Sequence, residues 1–274
     1  MARGGGLLGE SREGNASARR LRIHRRRDGT GAPVVLVHSV ACDLSLWDTQ
    51  TPTLADRYHV LRYDVRGHGK SELPGPSFTF EELADDLDGL LAECQIASAH
   101  VVGLSMGGVI ARLLALRHPK RARSLVLCST MAFLPPTGAK AWRERAALVR
   151  DRGIGAIVES SLAHWFTPDA LAANTPAVEQ VRNMLRAASP DAYLAICTAV
   201  PALNFFPRQG DIGVPTLVAV GALDPNLSAL DPESLAGAIP GARLKIFPNT
   251  GHFPNLEAPE EFNRALLEFF QSVS

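Results

Sequence analysis

The chain has no surplus of either charge. Its 274 residues carry 28 Lys plus Arg and 28 Asp plus Glu. That balance removes the electrostatic basis for a nucleic-acid or polyanion binder. Cysteine is scarce: Cys42, Cys94, Cys128 and Cys197 lie far apart with no C-x-x-C spacing. They read as small buried apolar residues in a reducing compartment rather than as a disulfide framework or a metal cluster. No apolar run approaches the roughly 18 residues of a membrane-spanning helix. Residues 1–17 are rich in Gly and Ser and lack the apolar stretch of a secretory signal, so a loose tail on a cytoplasmic protein is expected. A dinucleotide or mononucleotide site is also missing, because the one Gly-rich segment, Gly103-Leu104-Ser105-Met106-Gly107-Gly108, lacks both the G-x-G spacing and a trailing Lys. Neither a metal nor an organic cofactor is implied.

What is present is a hydrophobic content of 46%, enough for a substantial core, and an alternation of strand and helix patterns. Strands are predicted at Arg20–His24, Val34–His38, His59–Tyr63, His100–Val102, Ser124–Cys128, Thr216–Val220 and Arg243–Phe247. Helices are predicted at Thr79–Cys94, Met106–His118 and Pro259–Phe270. Leu83, Leu87, Leu90 and Leu91 share one helical face, and Thr79 with Glu82 forms a capping box. Such alternation predicts an α/β fold, a mostly parallel sheet covered by helices on both faces. The basic start, from Arg19 to Arg27, is expected as an edge hairpin with solvated arginines.

Between Cys128 and Thr216 the alternation stops. Residues 135–206 carry helical patterns only, punctuated by Pro135-Pro136, Pro168, Pro176, Pro190 and Pro201. This predicts an inserted helical cap over a core formed by residues 18–134 and 207–274. The cap contains Trp142 and Trp165, both expected in the substrate pocket together with His38, Ser39, His164 and Phe253.

The chemistry centres on the G-x-S-x-G pentapeptide of residues 103–107. It follows a strand and opens a helix, the setting in which a sharp turn lifts a serine hydroxyl out of the backbone. A serine needs a base, a group that orients the base, and donors for the oxyanion. Asp224 stands on the loop after Thr216–Val220, and His252 follows the strand Arg243–Phe247, so the chain order is Ser105, Asp224, His252. The oxyanion donors are expected to be the backbone N–H groups of Met106, at a helix start, and of Val40, in the loop after the first long strand. His38 at the end of that strand is expected to support the loop.

Together these residues resemble the α/β-hydrolase superfamily over nearly the whole chain. More narrowly, Asp43 to Asp48, Leu61 to Gly69, His164 to Pro168 and Asp191 to Val200 look like 3-oxoadipate enol-lactonases. The resemblance implies a serine hydrolase acting on a small-molecule ester or lactone, with a homo-oligomer possible. Cofactor-free haloperoxidases or perhydrolases and carbon–carbon bond hydrolases use the same triad, and a low-turnover small-molecule receptor would keep the fold. Three departures stand out. Ala41 replaces a usual Gly, His164 replaces a usual Arg, and Pro201 to Phe206 is apolar where relatives are polar or acidic. The last two departures predict a preference for neutral, moderately apolar substrates.

Overall fold

The structure is a computed structural model that describes residues 21–134, 136–227 and 231–273. The expected tail, 1–17, lies outside them. Seven strands form one sheet: β1 (Arg25–Asp28), β2 (Ala32–Val37), β3 (Tyr58–Tyr63), β4 (Ala99–Leu104), β5 (Ala122–Cys128), β6 (Thr216–Gly221) and β7 (Arg243–Phe247). Their order is β1-β3-β2-β4-β5-β6-β7, and every pairing except β1 with β3 is parallel. The central strands are apolar without alternation because both of their faces are covered. Val34 to Val37 and the whole of β4 are buried, for example.

The chain runs from β2 outward to β3, then returns to the other side of β2 to make β4. The strand order therefore reverses between β2 and β4. In an open parallel sheet, a crevice forms outside the carboxyl ends of the strands at such a switch. The residues leaving β2 and β4 there are His38 and Ser105, so topology alone brings the two sequence motifs to one place.

Helix α1 (Thr51–Ala55) precedes β3. Helix α2 (Phe80–Glu93) carries the predicted capping box and buries Leu83, Leu87, Leu90 and Leu91. Helix α3 (Met106–Arg117) is buried on all sides from Met106 to Ala115. Between β5 and β6 only helices occur: α4 (Pro136–Arg152), α5 (Val158–Trp165), α6 (Pro168–Ala172), α7 (Pro176–Ala187) and α8 (Pro190–Ala199), with short 3-10 turns. The prolines that interrupt the pattern are helix starts. Pro168, Pro176 and Pro190 each occupy the first helical position, behind the capping side chains of Thr167, Thr175 and Ser189. After β6 come a helix at Pro232–Ala238, a short one at Pro254–Glu257 and the closing helix Pro259–Ser272.

The first strand differs from expectation. It is Arg25–Asp28; residues 21–24 of the expected Arg20–His24 are not strand, and Arg19 and Arg20 lie outside the described residues. It lies antiparallel to β3. Gly29 and Gly31, at φ +69° and +108°, turn the chain between β1 and β2 against the carbonyls of Ala55, Arg57 and Tyr58. An edge strand needs no apolar alternation, so its register is poorly marked in sequence. Arg26 and Arg27 are solvated as expected. All four cysteines are buried and unbridged, and among the described residues no helix is long and apolar enough to cross a membrane.

Candidate active site

Ser105 sits between β4 and α3 at φ 54° and ψ −109°, a left-handed conformation rare for a residue with a side chain. The turn closes because three glycines permit backbone contact. A Cβ on Gly103 would strike the Gly107 carbonyl, one on Gly107 the Val37 carbonyl, and one on Gly108 the Thr130 side chain at 2.6 Å. The turn is then held by hydrogen bonds. Ser105 N–H donates to the Cys128 carbonyl at 2.8 Å, and Thr130 Oγ1 donates to the Ser105 carbonyl at 2.8 Å. From Ala99 to Ala115 every residue is buried except Ser105.

The second component joins two loops. Gly221, at the end of β6, has no room for a Cβ because the Gly251 and Thr250 carbonyls press against it. That approach brings Asp224 to His252, and Asp224 Oδ2 lies 2.6 Å from His252 Nδ1. The other carboxylate oxygen, Oδ1, accepts from the Asn226 backbone N–H at 2.9 Å and from Asn226 Nδ2 at 3.0 Å. Both residues are buried. Burial alone would raise the Asp224 pKa; the His252 ring and the two Asn226 donors outweigh it and hold the carboxyl below its ordinary value. An ionised Asp224 accepts from Nδ1–H, which leaves Nε2 of a neutral imidazole as a proton acceptor.

The loop after β2 is fixed by His38. Its ring is fully buried, Nδ1 donates to the Ser39 carbonyl at 2.7 Å, and Nε2 accepts from the Val65 N–H at 2.9 Å. Burial lowers its pKa, so it stays neutral with one donor and one acceptor in use. His38 thus supports the loop, as expected, and is no wall residue of a pocket: neither ring nitrogen is free and no surface is exposed. Ser39 is equally buried, and its hydroxyl has no hydrogen-bond partner among the described residues. Where Gly107 meets the Val37 and His38 carbonyls, the loop carrying Val40 is packed on the start of α3. Val40, in that loop, and Met106, at the start of α3, are both nearly buried.

The helical segment reaches this site through α5. The His252 N–H donates to the Trp165 carbonyl at 2.7 Å. The Trp165 ring stacks on the imidazole, with centroids 6.1 Å apart and planes 14° apart, while Phe253 stands edge-on to the imidazole at 5.4 Å. His164, the neighbour of Trp165, is exposed, and its engaged group is the backbone carbonyl, which accepts from Asn226 Nδ2 at 3.1 Å. Trp142 is half-buried and lies against Tyr193 at 6.4 Å. Within the apolar run Pro201 to Phe206, two residues are engaged by the core. Phe205 and Phe206 pack over the buried guanidinium of Arg112, at 5.0 and 5.8 Å from its carbon to the ring centres.

Sequence reasoning missed several supporting residues. Asn226 fills the free oxygen of Asp224. Thr130 pins the elbow. Glu257 accepts from the Gly251 N–H at 2.8 Å, beside His252. Only Asn226 had a visible signal, since an Asn two residues after an Asp in a turn can bond back to it. Among the described residues no group of three His, Cys, Asp or Glu could hold a metal ion.

These features agree with comparisons to known proteins. Residues 32–259 match the family model described as the alpha/beta hydrolase fold. The chain is 32% identical to 3-oxoadipate enol-lactonase 2 of Acinetobacter baylyi over 233 residues, 85% of this chain and 86% of the relative. Among solved structures it resembles an enol-lactonase from Burkholderia xenovorans LB400, with TM-score 0.85, 33% identity, and coverage of 92% of this chain and 97% of the other. It also resembles a thermophilic esterase from Thermogutta terrifontis, with TM-score 0.86, 30% identity, and coverage of 94% and 96%. Sheet order, serine elbow and family match converge, and the chain belongs to the α/β-hydrolase family.

Proposed function

We propose that this hydrolase cleaves a carboxylic ester or lactone of a small molecule through an acyl-enzyme. Ser105 Oγ attacks the carbonyl carbon while His252 Nε2 accepts its proton. Asp224 orients the imidazole and stabilises the cation that forms. The Met106 and Val40 N–H groups receive the developing oxyanion. His252 then returns the proton to the departing oxygen; in a lactone that oxygen stays tethered to the acyl group. Water attacks the acyl-enzyme with His252 again as base. The segment 135–206 acts as a cap that excludes water, with Trp165 as its contact to the imidazole. The four buried, unbridged cysteines support work in a reducing, cytoplasmic setting.

The observation that carries this reading is Ser105, the one residue left partly exposed in an otherwise buried strand-turn-helix unit, at the same sheet edge as a hydrogen-bonded His–Asp pair. The enol-lactonase and esterase relatives support the reaction class. A preference for neutral substrates rests chiefly on His164, because Phe205 and Phe206 of the apolar run pack on Arg112.

The test is a rate comparison on a short p-nitrophenyl ester, saturated lactones and 3-oxoadipate enol-lactone, wild type against Ser105→Ala. Loss of Ser105 should lower kcat by about 10⁴-fold or more on whichever substrate is best. A variant that keeps a tenth of wild-type activity would remove Ser105 from the mechanism.

A further inference from the structure

Arg112 stands in the middle of α3, two turns beyond Ser105, with no part of its side chain reaching solvent. A buried cation is expensive and is normally matched by a carboxylate. No ion pair to Arg112 occurs among the described residues; its hydrogen bonds go to neutral oxygens instead. Nε donates to the Gly108 carbonyl at 3.3 Å, Nη1 to Gln209 Oε1 at 2.5 Å, and Nη2 to Thr130 Oγ1 at 3.3 Å and to the Met131 carbonyl at 2.8 Å. Phe205 and Phe206 face the guanidinium and supply cation–π attraction in place of a counter-ion. Burial pulls its pKa down to about 9, so it remains a cation at neutral pH.

Apart from Gly108, one turn back in α3, the partners of Arg112 have one thing in common. Thr130 and Met131 lie where the chain leaves β5 for the helical segment, and Phe205, Phe206 and Gln209 lie where it returns toward β6. Gln209 Nε2 closes the circuit by donating to the Ala132 carbonyl at 3.1 Å. The two connections of the helical segment are therefore tied to each other and to the helix that begins at the nucleophile. Thr130 extends the tie to the reacting residue. Its hydroxyl accepts from Arg112 and donates to the Ser105 carbonyl.

We propose that Arg112, acting through Thr130 and Gln209, is a positioning residue that sets the Ser105 elbow relative to the helical segment. The planar fork suits this task because it donates in several fixed directions at once, which the single ammonium of Lys cannot do. The strained φ of Ser105 needs such support, since a residue held in a rare conformation stays there only when its surroundings over-determine it. Arg112 touches no reacting atom, and its contribution is to geometry. The idea rests on Ser105 being the nucleophile.

The experiment separates that premise from the proposal. A small fluorophosphonate that phosphonylates activated serines, with fluoride as leaving group, is added to wild type and variants, and adduct formation is followed by intact mass and peptide mapping. In the wild type the adduct should map to Ser105; an adduct elsewhere, or none, overturns the nucleophile assignment itself. With that established, Arg112→Met and Thr130→Val should be labelled about 10- to 100-fold more slowly, the cost of a small misplacement of reacting groups. Their kcat on a short p-nitrophenyl ester should fall in parallel, with KM changed less than about threefold. Thr130→Ser restores a hydroxyl and should recover most of what Thr130→Val loses, whereas Arg112→Lys should recover little. Thr130→Val removes a hydroxyl at nearly constant volume and so tests the relay even if Arg112→Met does not fold. Labelling of folded Thr130→Val at the wild-type rate, or full rescue by Arg112→Lys, would overturn the proposal.

Discussion

The parallel sheet and the helical segment place their residues at the site by different means. In the sheet, position along the chain fixes position in space. β2, β4, β6 and β7 run side by side or in parallel register, and the residues that follow their carboxyl ends are Ser39–Val40, Ser105, Asp224 and His252. Side chains do the joining there, as in the Asp224–His252 pair. The helical segment approaches the same site mainly through main-chain carbonyls. The Trp165 carbonyl accepts from the His252 N–H, the His164 carbonyl accepts from Asn226, and only the Trp165 ring adds a side-chain contact to the imidazole. In the proposed mechanism the reacting side chains all follow sheet strands, and the helical segment docks beside them through its backbone.

That contrast is broken or sharpened first at the triad. His252→Ala should cost as much as loss of Ser105, about 10⁴- to 10⁶-fold in kcat, and Asp224→Asn about 10³- to 10⁴-fold, because the members act as a unit. Steady-state rates on one good ester measure this. A folded His252→Ala enzyme within a hundredfold of wild type would put the chemistry elsewhere.

A side-chain change in the helical segment should be much milder. Trp165→Leu removes the ring over the imidazole but leaves the carbonyl that holds His252. Ring contacts of this kind contribute about 1–1.5 kcal/mol, so kcat should fall about tenfold. If Trp165→Leu matches Asp224→Asn in severity, the division between sheet and helical segment fails.

The sheet also sets how the protein responds to acid. Burial holds His38 below its ordinary pKa, His68 at about 3, where the neighbouring His38 adds to the effect, and His100 at about 4. In the unfolded chain each titrates near 6.5. Below that pH the unfolded state binds more protons, so the stability these neutral rings contribute is complete above pH 6.5 and is lost progressively as pH falls toward 4. Each group costs about 1.4 kcal/mol per pH unit across that window. Thermal unfolding should show Tm dropping steadily from pH 7 to pH 4.5; a flat profile would mean the rings are charged and satisfied in the fold.

The smallest effect concerns substrate charge. His164→Arg should move the ratio of kcat/KM toward carboxylate-bearing esters or lactones by less than about tenfold, because position 164 is exposed and water screens its charge. A larger shift would place that side chain in contact with substrate.

How much of this was legible in the sequence follows the same division. Strands β2 to β6 were readable to within about one or two residues because buried strands are apolar runs between turns, and the largely exposed β7 because Leu244, Ile246 and Phe247 keep a β-forming pattern. β1 was misplaced because a solvated edge strand of RRRD carries no such mark. Ser105, Asp224 and His252 stood out because their loops follow strands. The prolines of the helical segment marked helix starts, yet nothing in the sequence could show that backbone carbonyls at 164 and 165 dock it. At His164 the sequence points to the side chain, and only the structure shows that the carbonyl is also engaged. Arg112 was missed for a related reason. A lone Arg in a helix reads as solvent-facing, and only the apolar character of α3 around its whole circumference hinted that the charge must be buried.

The proposed mechanism requires Ser105 to be the acylated residue, with His252 as the base that activates it. Rapid-quench mass spectrometry during turnover of a p-nitrophenyl ester measures this directly. A mass increase equal to the acyl group should appear on the peptide containing Ser105 in the wild type, and should be undetectable on the same time scale in folded His252→Ala. Acylation of another residue, or acylation of Ser105 at an unchanged rate without His252, would contradict it.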